Sequence, residues 1–254
     1  MKFQNRLSAI AAIVFVMGSA VLVQKTAAQS TNPPWRNLSL DQLSGVHWQW
    51  IYGTQVTESA VFDDTGVNAF NNQPYFTAPG GSGQLLFLGG TFTTTFTVTG
   101  NILGQVTRTI SIKEGTSLFF PLIDAEWDNV LTTPHLGGMV LGHPSGVPVL
   151  KQVVAASVDS TTGLFATLNS SSVPFPRLRS GAFAFRLPAT DNLYQFFGVN
   201  VSGTVAPAVS DGFFSFIHSL AAGNYVLRFG GQFPIDNAGH QFIEDITYNI
   251  TVTP

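Results

Sequence analysis

Along much of the chain apolar and polar residues alternate. Phe92, Phe96 and Val98 share one parity with threonines between them, and Val106, Ile110 and Ile112 repeat it after a connection from Gly100-Asn101 to Gly104. That pair predicts a hairpin. Phe183, Phe185 and Leu187 alternate in the same way, as do Tyr225, Leu227 and Phe229, and then Ile246, Tyr248, Ile250 and Val252. A side-chain period of two puts each set on one face of a half-buried strand, which predicts antiparallel sheets packed on each other. The expected fold is an all-β antiparallel sandwich, and jelly-roll and immunoglobulin-like strand orders fit equally well.

One helix breaks the pattern near the start. Ser39-Leu40-Asp41-Gln42 has the form of a capping box, and Leu40, Leu43, His47 and Trp50 follow at helical spacing toward a stop near Gly53. Trp50 is expected to pack against the sandwich and Trp48 to turn toward the opposite side. A second, shorter helix is expected over 149–156, although Val153 and Val154 equally suit the start of a strand.

Composition agrees with strands and turns: 22 phenylalanines, 25 glycines and 14 prolines, with no cysteine. Without disulfides the fold must rest on its apolar core. Residues 1–28 read as an export signal, with Lys2 and Arg6 before an apolar run from Leu7 to Val23 and a small-residue site at Thr26-Ala27-Ala28. Ser8, Gly18 and Ser19 interrupt that run, which falls short of the roughly 20 apolar residues of a spanning helix. The expected mature chain is a single domain over residues 29–254, secreted or held in the periplasm or cell envelope, with no membrane span. No Pro/Ser-rich linker divides it.

Charge is scarce. The signal removes Lys2, Arg6 and Lys25 from 11 basic residues, leaving eight against 14 acidic ones, a net charge of −6. So few cations argue against a nucleic-acid partner, since phosphate neutralisation needs them clustered. Arg177 and Arg179 are the only close basic pair and read as a solvated strand edge.

His47-Trp48-Gln49-Trp50, the segment Gly83-Gln84-Leu85-Leu86-Phe87-Leu88-Gly89-Gly90-Thr91 and the run Lys113-Glu114-Gly115-Thr116-Ser117-Leu118-Phe119-Phe120-Pro121 resemble a widespread set of uncharacterised exported bacterial β-sandwich proteins. The likeness continues through Ser157-Val158-Asp159, Ser210-Asp211-Gly212-Phe213-Phe214 and Ala222-Gly223-Asn224-Tyr225 to Phe229-Gly230-Gly231, and spans most of 40–252. It implies export and a bacterial source, but brings no activity and no catalytic residue. Some members of that set carry cysteines that this chain lacks.

Candidate chemistry follows the Phe-Phe-Pro segment, where the chain reads Leu122-Ile123-Asp124-Ala125-Glu126-Trp127-Asp128-Asn129. In an extended segment Asp124, Glu126 and Asp128 project to one side within about 13 Å. Like charges held that close are screened by water, neutralised by a cation, or relieved by protonation, the last being a condition for general acid catalysis. Calcium suits such oxygen ligands, with Asn129 as a supplement. His135 and His143, in the Gly/Pro-rich stretch that follows, suit zinc or another transition metal instead. The plainer reading is an acidic strand end in solvent and a decorated surface loop.

Trp48, Trp50, Tyr52, Tyr75 and Trp127 are candidate stacking faces for sugar rings, with Trp48 and Trp127 the foremost ligand-binding candidates beside Asp124 and Glu126. Asp63-Asp64-Thr65-Gly66 and Ser210-Asp211-Gly212 carry turn chemistry. His218 reads as a strand histidine, and His240, Glu244 and Asp245 form a reserve cluster. Gly80-Gly81-Ser82-Gly83 lacks the Lys-Ser/Thr ending of a phosphate loop, and no Gly-x-Ser-x-Gly elbow occurs.

Three functions remain as expectations. The first is a noncatalytic exported module that binds a glycan, a cell-surface polymer or a protein partner. The second is a polysaccharide-active enzyme using Asp124, Glu126 or Asp128 with His135 or His143. The third is a structural envelope or matrix protein.

Overall fold

The computed structural model describes residues 34–76, 83–130, 146–235 and 238–254. The expected signal at 1–28, the glycine run 80–82, and His135 and His143 lie outside the described residues. Helix α1 spans Leu40–Gly53, β1 Leu85–Phe87, β2 Thr95–Phe96, β3 Ile102–Lys113 and β4 Ser117–Trp127. Helix α2 covers Val147–Asp159, followed by β5 Thr162–Leu168, β6 Ser171–Ser172, β7 Arg177–Arg179 and β8 Phe183–Leu187. The short α3 is Leu193–Phe196. Then come β9 Gly203–Ile217, β10 Gly223–Pro234 and β11 Gln241–Thr253.

These strands form an all-β sandwich with an N-terminal helix. One sheet runs β1-β4-β9-β7 with β8 also on β9, and the other runs β2-β3-β11-β10-β5-β6. Both sheets are mixed, which departs from the antiparallel expectation. β1 lies parallel to β4, and β3 lies parallel to β11 along its whole length, from Ile102 beside Phe242 to Lys113 beside Thr253. The expected hairpin shrinks to two pairs, Thr95 with Leu103 and Phe96 with Ile102. Phe96 and Val98 are exposed: Phe96 lies on a two-residue edge strand and Val98 in the turn that follows it.

The first sheet is the middle layer. Its inner face meets the six-stranded sheet in a core that includes Leu118, Phe120, Leu122, Val106, Phe229, Ile246 and Tyr248. Its outer face carries α1 through Leu43, Trp50, Ile51, Phe87, Phe119, Phe185 and Phe214. The capping box of α1 forms as expected, the Gln42 N–H donating to Ser39 Oγ and the Ser39 N–H to Gln42 Oε1. α2 is a helix throughout, and its Leu150 and Val154 cover Trp127 and Val209. Its Arg177 partner and Arg179 are not merely a solvated edge: Arg177 pairs with Asp211 and Asp159, and Arg179 with Asp211.

β4 contains the feature that positions everything below. Pro121 pairs with Phe214 and Ile123 with Phe213, so Leu122 is an extra residue, a β-bulge. The bulge exchanges the faces. Before it, odd Phe119 faces α1 and even Phe120 faces the other sheet. After it, Ala125 and Trp127 face α2, and Ile123 lies against Gly231 of β10. The even residues Asp124, Glu126 and Asp128 therefore turn toward α1.

Candidate functional site

The helix and the strand fit by arithmetic. One helical turn from Trp48 to Tyr52 rises about 6 Å, and the two strand steps from Asp124 to Glu126 span roughly 6.6 Å. Trp48 thus lies over Asp124 and Tyr52 over Glu126. The Tyr52 hydroxyl donates to Glu126 Oε2 at 2.8 Å, and the Trp48 indole N–H favours the ionised form of Asp124 from beside it. α3 extends the series, its Tyr194 hydroxyl donating to Asp128 Oδ2. Three carboxyls on alternate positions thus each face an aromatic donor. The rings also support one another: Trp48 stacks on Tyr52 at 5.4 Å and Tyr52 on Phe185 at 4.2 Å, while Tyr194 meets Tyr52 edge-on at 5.4 Å.

Asp128 is fully engaged, since its Oδ1 accepts from the Val130 N–H at 2.6 Å. The other end is open. Among the described residues six buried side-chain N or O atoms lack a hydrogen-bond partner, and four of them are His47 Nδ1, Trp48 Nε1, Asp124 Oδ2 and Glu126 Oε1; the Trp48 N–H is near enough to Asp124 to favour its ionised form but does not make a hydrogen bond to it. His47 Nε2 meets the Leu88 carbonyl oxygen at 3.2 Å; a carbonyl only accepts, so Nε2 carries the proton. Burial pushes the imidazole down to about 4, which leaves Nδ1 as a bare lone pair. It stands 4.0 Å from Asp124 Oδ2. Asp124 is also where the cluster meets solvent, with 13 % of its side chain exposed.

Burial sets the protonation of the carboxyls. It raises Asp124 well above its ordinary range, helped by the charge of Glu244 and opposed by Trp48. It raises Glu126 likewise, helped by Asp128 and opposed by the Tyr52 hydrogen bond. Asp128 is raised too, against the hydrogen bonds from Tyr194 and Val130. Glu244 comes from the inner face of β11, where the Thr91 N–H donates to its Oε1 at 2.7 Å. Burial pushes it up to about 7, with the Thr91 hydrogen bond and the field of Arg108 opposing.

Arg108 is the partner that sequence reasoning missed. It occupies an inward position of β3 between Val106 and Ile110 and is fully enclosed. Its guanidinium donates to the carbonyls of Asp63 (2.6 Å), Gly89 (2.7 Å) and Gly90 (2.9 Å) and to the Tyr248 hydroxyl (2.7 Å). The parity of β3 carried the signal, because a charged residue in an inward register must find buried partners. Tyr194 also had one: Asn192 and Gln195 form a capping box that starts α3.

Several expectations change. The acidic segment is not a strand end in solvent, because the bulge turns it under α1. Trp48, Trp50, Tyr52 and Trp127 are buried, so none presents a flat face for stacking; Trp127 does point away from the carboxyls, but α2 covers it. Ser210-Asp211-Gly212 is mid-strand in β9 rather than a turn. Asp63, by contrast, forms the expected turn, accepting from the N–H groups of Thr65, Gly66 and Asn68 at 2.8 Å each. The reserve cluster divides, since Glu244 faces inward while Asp245 pairs with Arg228 outside. Among the described residues no group of three or more His, Asp or Glu side chains is placed to hold a metal ion.

No protein-family model, curated protein or solved structure matches the chain. The functional argument therefore rests on its own geometry. No helix of the described residues is long and apolar enough to cross a membrane.

Proposed function

We propose that the protein is an exported β-sandwich module that binds a glycan or other hydroxyl-rich cell-surface polymer at the Asp124 end of the carboxyl series. Export rests on the signal-like residues 1–28. The observation that carries the site is the gathering of four unpartnered buried polar atoms around Asp124. Buried polar atoms are almost always satisfied, and leaving them open costs stability that a ligand's polar groups recover. Binding of the purified exported protein to immobilised bacterial and plant glycans tests this reading. Retention of a glycan by the wild type and its loss on Asp124→Asn support it; equal retention by both places binding elsewhere.

Glu126 favours a second reading, a polysaccharide-active enzyme. Burial, helped by Asp128, raises its carboxyl well above the ordinary range, which suits a general acid. Cleavage of a polysaccharide by the wild type, abolished in a folded Glu126→Gln variant, would replace binding with catalysis.

A further inference from the structure

The carboxyls of β4 are matched only with neutral groups. From α1 they meet His47, Trp48 and Tyr52, and from α3 Tyr194. His47 is depressed to about 4, so it carries no charge near neutrality. β11 brings a further acid, Glu244, toward Asp124, and Arg108 of β3 is committed to three carbonyls and the Tyr248 hydroxyl. On β9, Asp211 pairs with Ala125 on the face toward α2, where Arg177 and Arg179 hold it. Among the described residues no Lys or Arg forms an ion pair with Asp124, Glu126 or Asp128. An ionised carboxylate here has no counterion, which makes it costly to keep out of water.

That cost falls on one of two separate cores. Trp48, Tyr52 and Tyr194 belong to the core that α1 shares with the outer face of the middle sheet. The core between the two sheets is a different set of side chains, backed by the full-length ladders of β3 with β11 and β11 with β10. α1 also precedes every strand in the chain, so it can leave the sheet while each strand keeps its neighbours. We propose that α1 is a pH-released cover: it stays docked while Asp124, Glu126 and Asp128 hold their protons, and lifts from the middle sheet as they ionise, with the six-stranded sheet intact. Lifting uncovers Phe87, Phe119 and Phe214. The device is independent of what the Asp124 end binds. Its sign follows from linkage. Above the ordinary carboxylate range, opening releases protons that burial retains, and each proton released raises the ratio of open to docked molecules about tenfold per pH unit. His47 is neutral in both forms above its unfolded value of 6.5 and does not oppose this.

Hydrogen exchange of the purified exported protein, read by mass spectrometry from about pH 5 to about pH 8, tests this. After correction for the faster exchange of free amides at higher pH, the amides of α1 should lose protection at least about tenfold per pH unit, while those of Tyr248 and Ile250 in β11 keep theirs. Glu126→Gln, which retains an acceptor for Tyr52, should reduce that slope. Should the variant fold poorly, the comparison of α1 with β11 in the wild type needs no substitution. Loss of protection by α1 and β11 in step is global unfolding and overturns the proposal. So does protection of α1 that stays constant across this range.

Discussion

The hydroxyl of Tyr52 donates a 2.8 Å hydrogen bond to Oε2 of Glu126 across the interface between α1 and β4, and both side chains are buried. A neutral donor, rather than a cation, is thus the partner of a buried carboxyl. The same pairing recurs between Tyr194 and Asp128, so the helix side of the sandwich is fastened by polar contacts inside an aromatic core.

Tyr52→Phe keeps the stacking on Trp48 and Phe185 but strips Glu126 of its donor. Loss of a hydrogen bond that leaves a buried acceptor open costs about 1 to 3 kcal/mol. Denaturant unfolding should show that loss with an unchanged slope, and Glu126 should titrate still higher, because Tyr52 is the group that opposes its upward shift.

Stability should fall as pH rises through neutrality. Asp124, Glu126, Asp128 and Glu244 are all raised by burial, so the folded chain holds protons that the unfolded chain has lost above about pH 4.5. Their stabilising contribution is complete below the unfolded values and is lost as pH rises through the folded ones, about 7 for Glu244. His47 acts in the opposite sense. Depressed from 6.5 to about 4, it adds stability as pH rises between those values. Four carboxyls outweigh one imidazole, so the melting temperature should be higher at pH 5 than at pH 8. For Glu244 alone the shift corresponds to about 3 kcal/mol, and Glu244→Gln should flatten the profile.

Gly212→Ala should destabilise the β4–β9 pair. A Cβ at Gly212 would stand 2.3 Å from the Asp124 Cβ, so the strands must move apart at the bulged end. Overpacking of this kind costs about 1 to 3 kcal/mol, and thermal melting measures it. The same substitution should shift any ligand affinity that depends on Asp124.

Much of the architecture was legible because it is local. Ser39 and Gln42 announce the start of α1, and the even residues from Ile246 to Val252 mark the inward face of β11. Neighbours are a different matter: alternation assigns Val106 and Ile246 to inward faces but is silent on β3 lying parallel to β11. The carboxyl series was visible as a pattern, yet its direction depended on Leu122. The continuous apolar run from Leu118 to Ile123 conceals the parity change there, since both faces of β4 are buried. Gly212 misled for a related reason. Glycine after Asp211 suggests a turn, whereas here it lets Asp124 approach the facing strand.

Arg108→Met tests the other buried polar centre. Removing the guanidinium strands the carbonyls of Asp63, Gly89 and Gly90 together with the Tyr248 hydroxyl, and a loss of about 2 to 4 kcal/mol follows from several unsatisfied groups. Glu244 should then titrate higher, since the field of Arg108 holds it down.

Carbon-13 NMR titration of the side-chain carboxyls, run on the free protein and then with saturating glycan, tests the account most directly. The account predicts that Asp124 and Glu126 keep their protons well above the ordinary carboxylate range in the free protein, and that the Asp124 signal moves and its titration falls when ligand binds. Ordinary titration of both groups near pH 4, with no response at Asp124 to any ligand that binds, would contradict it.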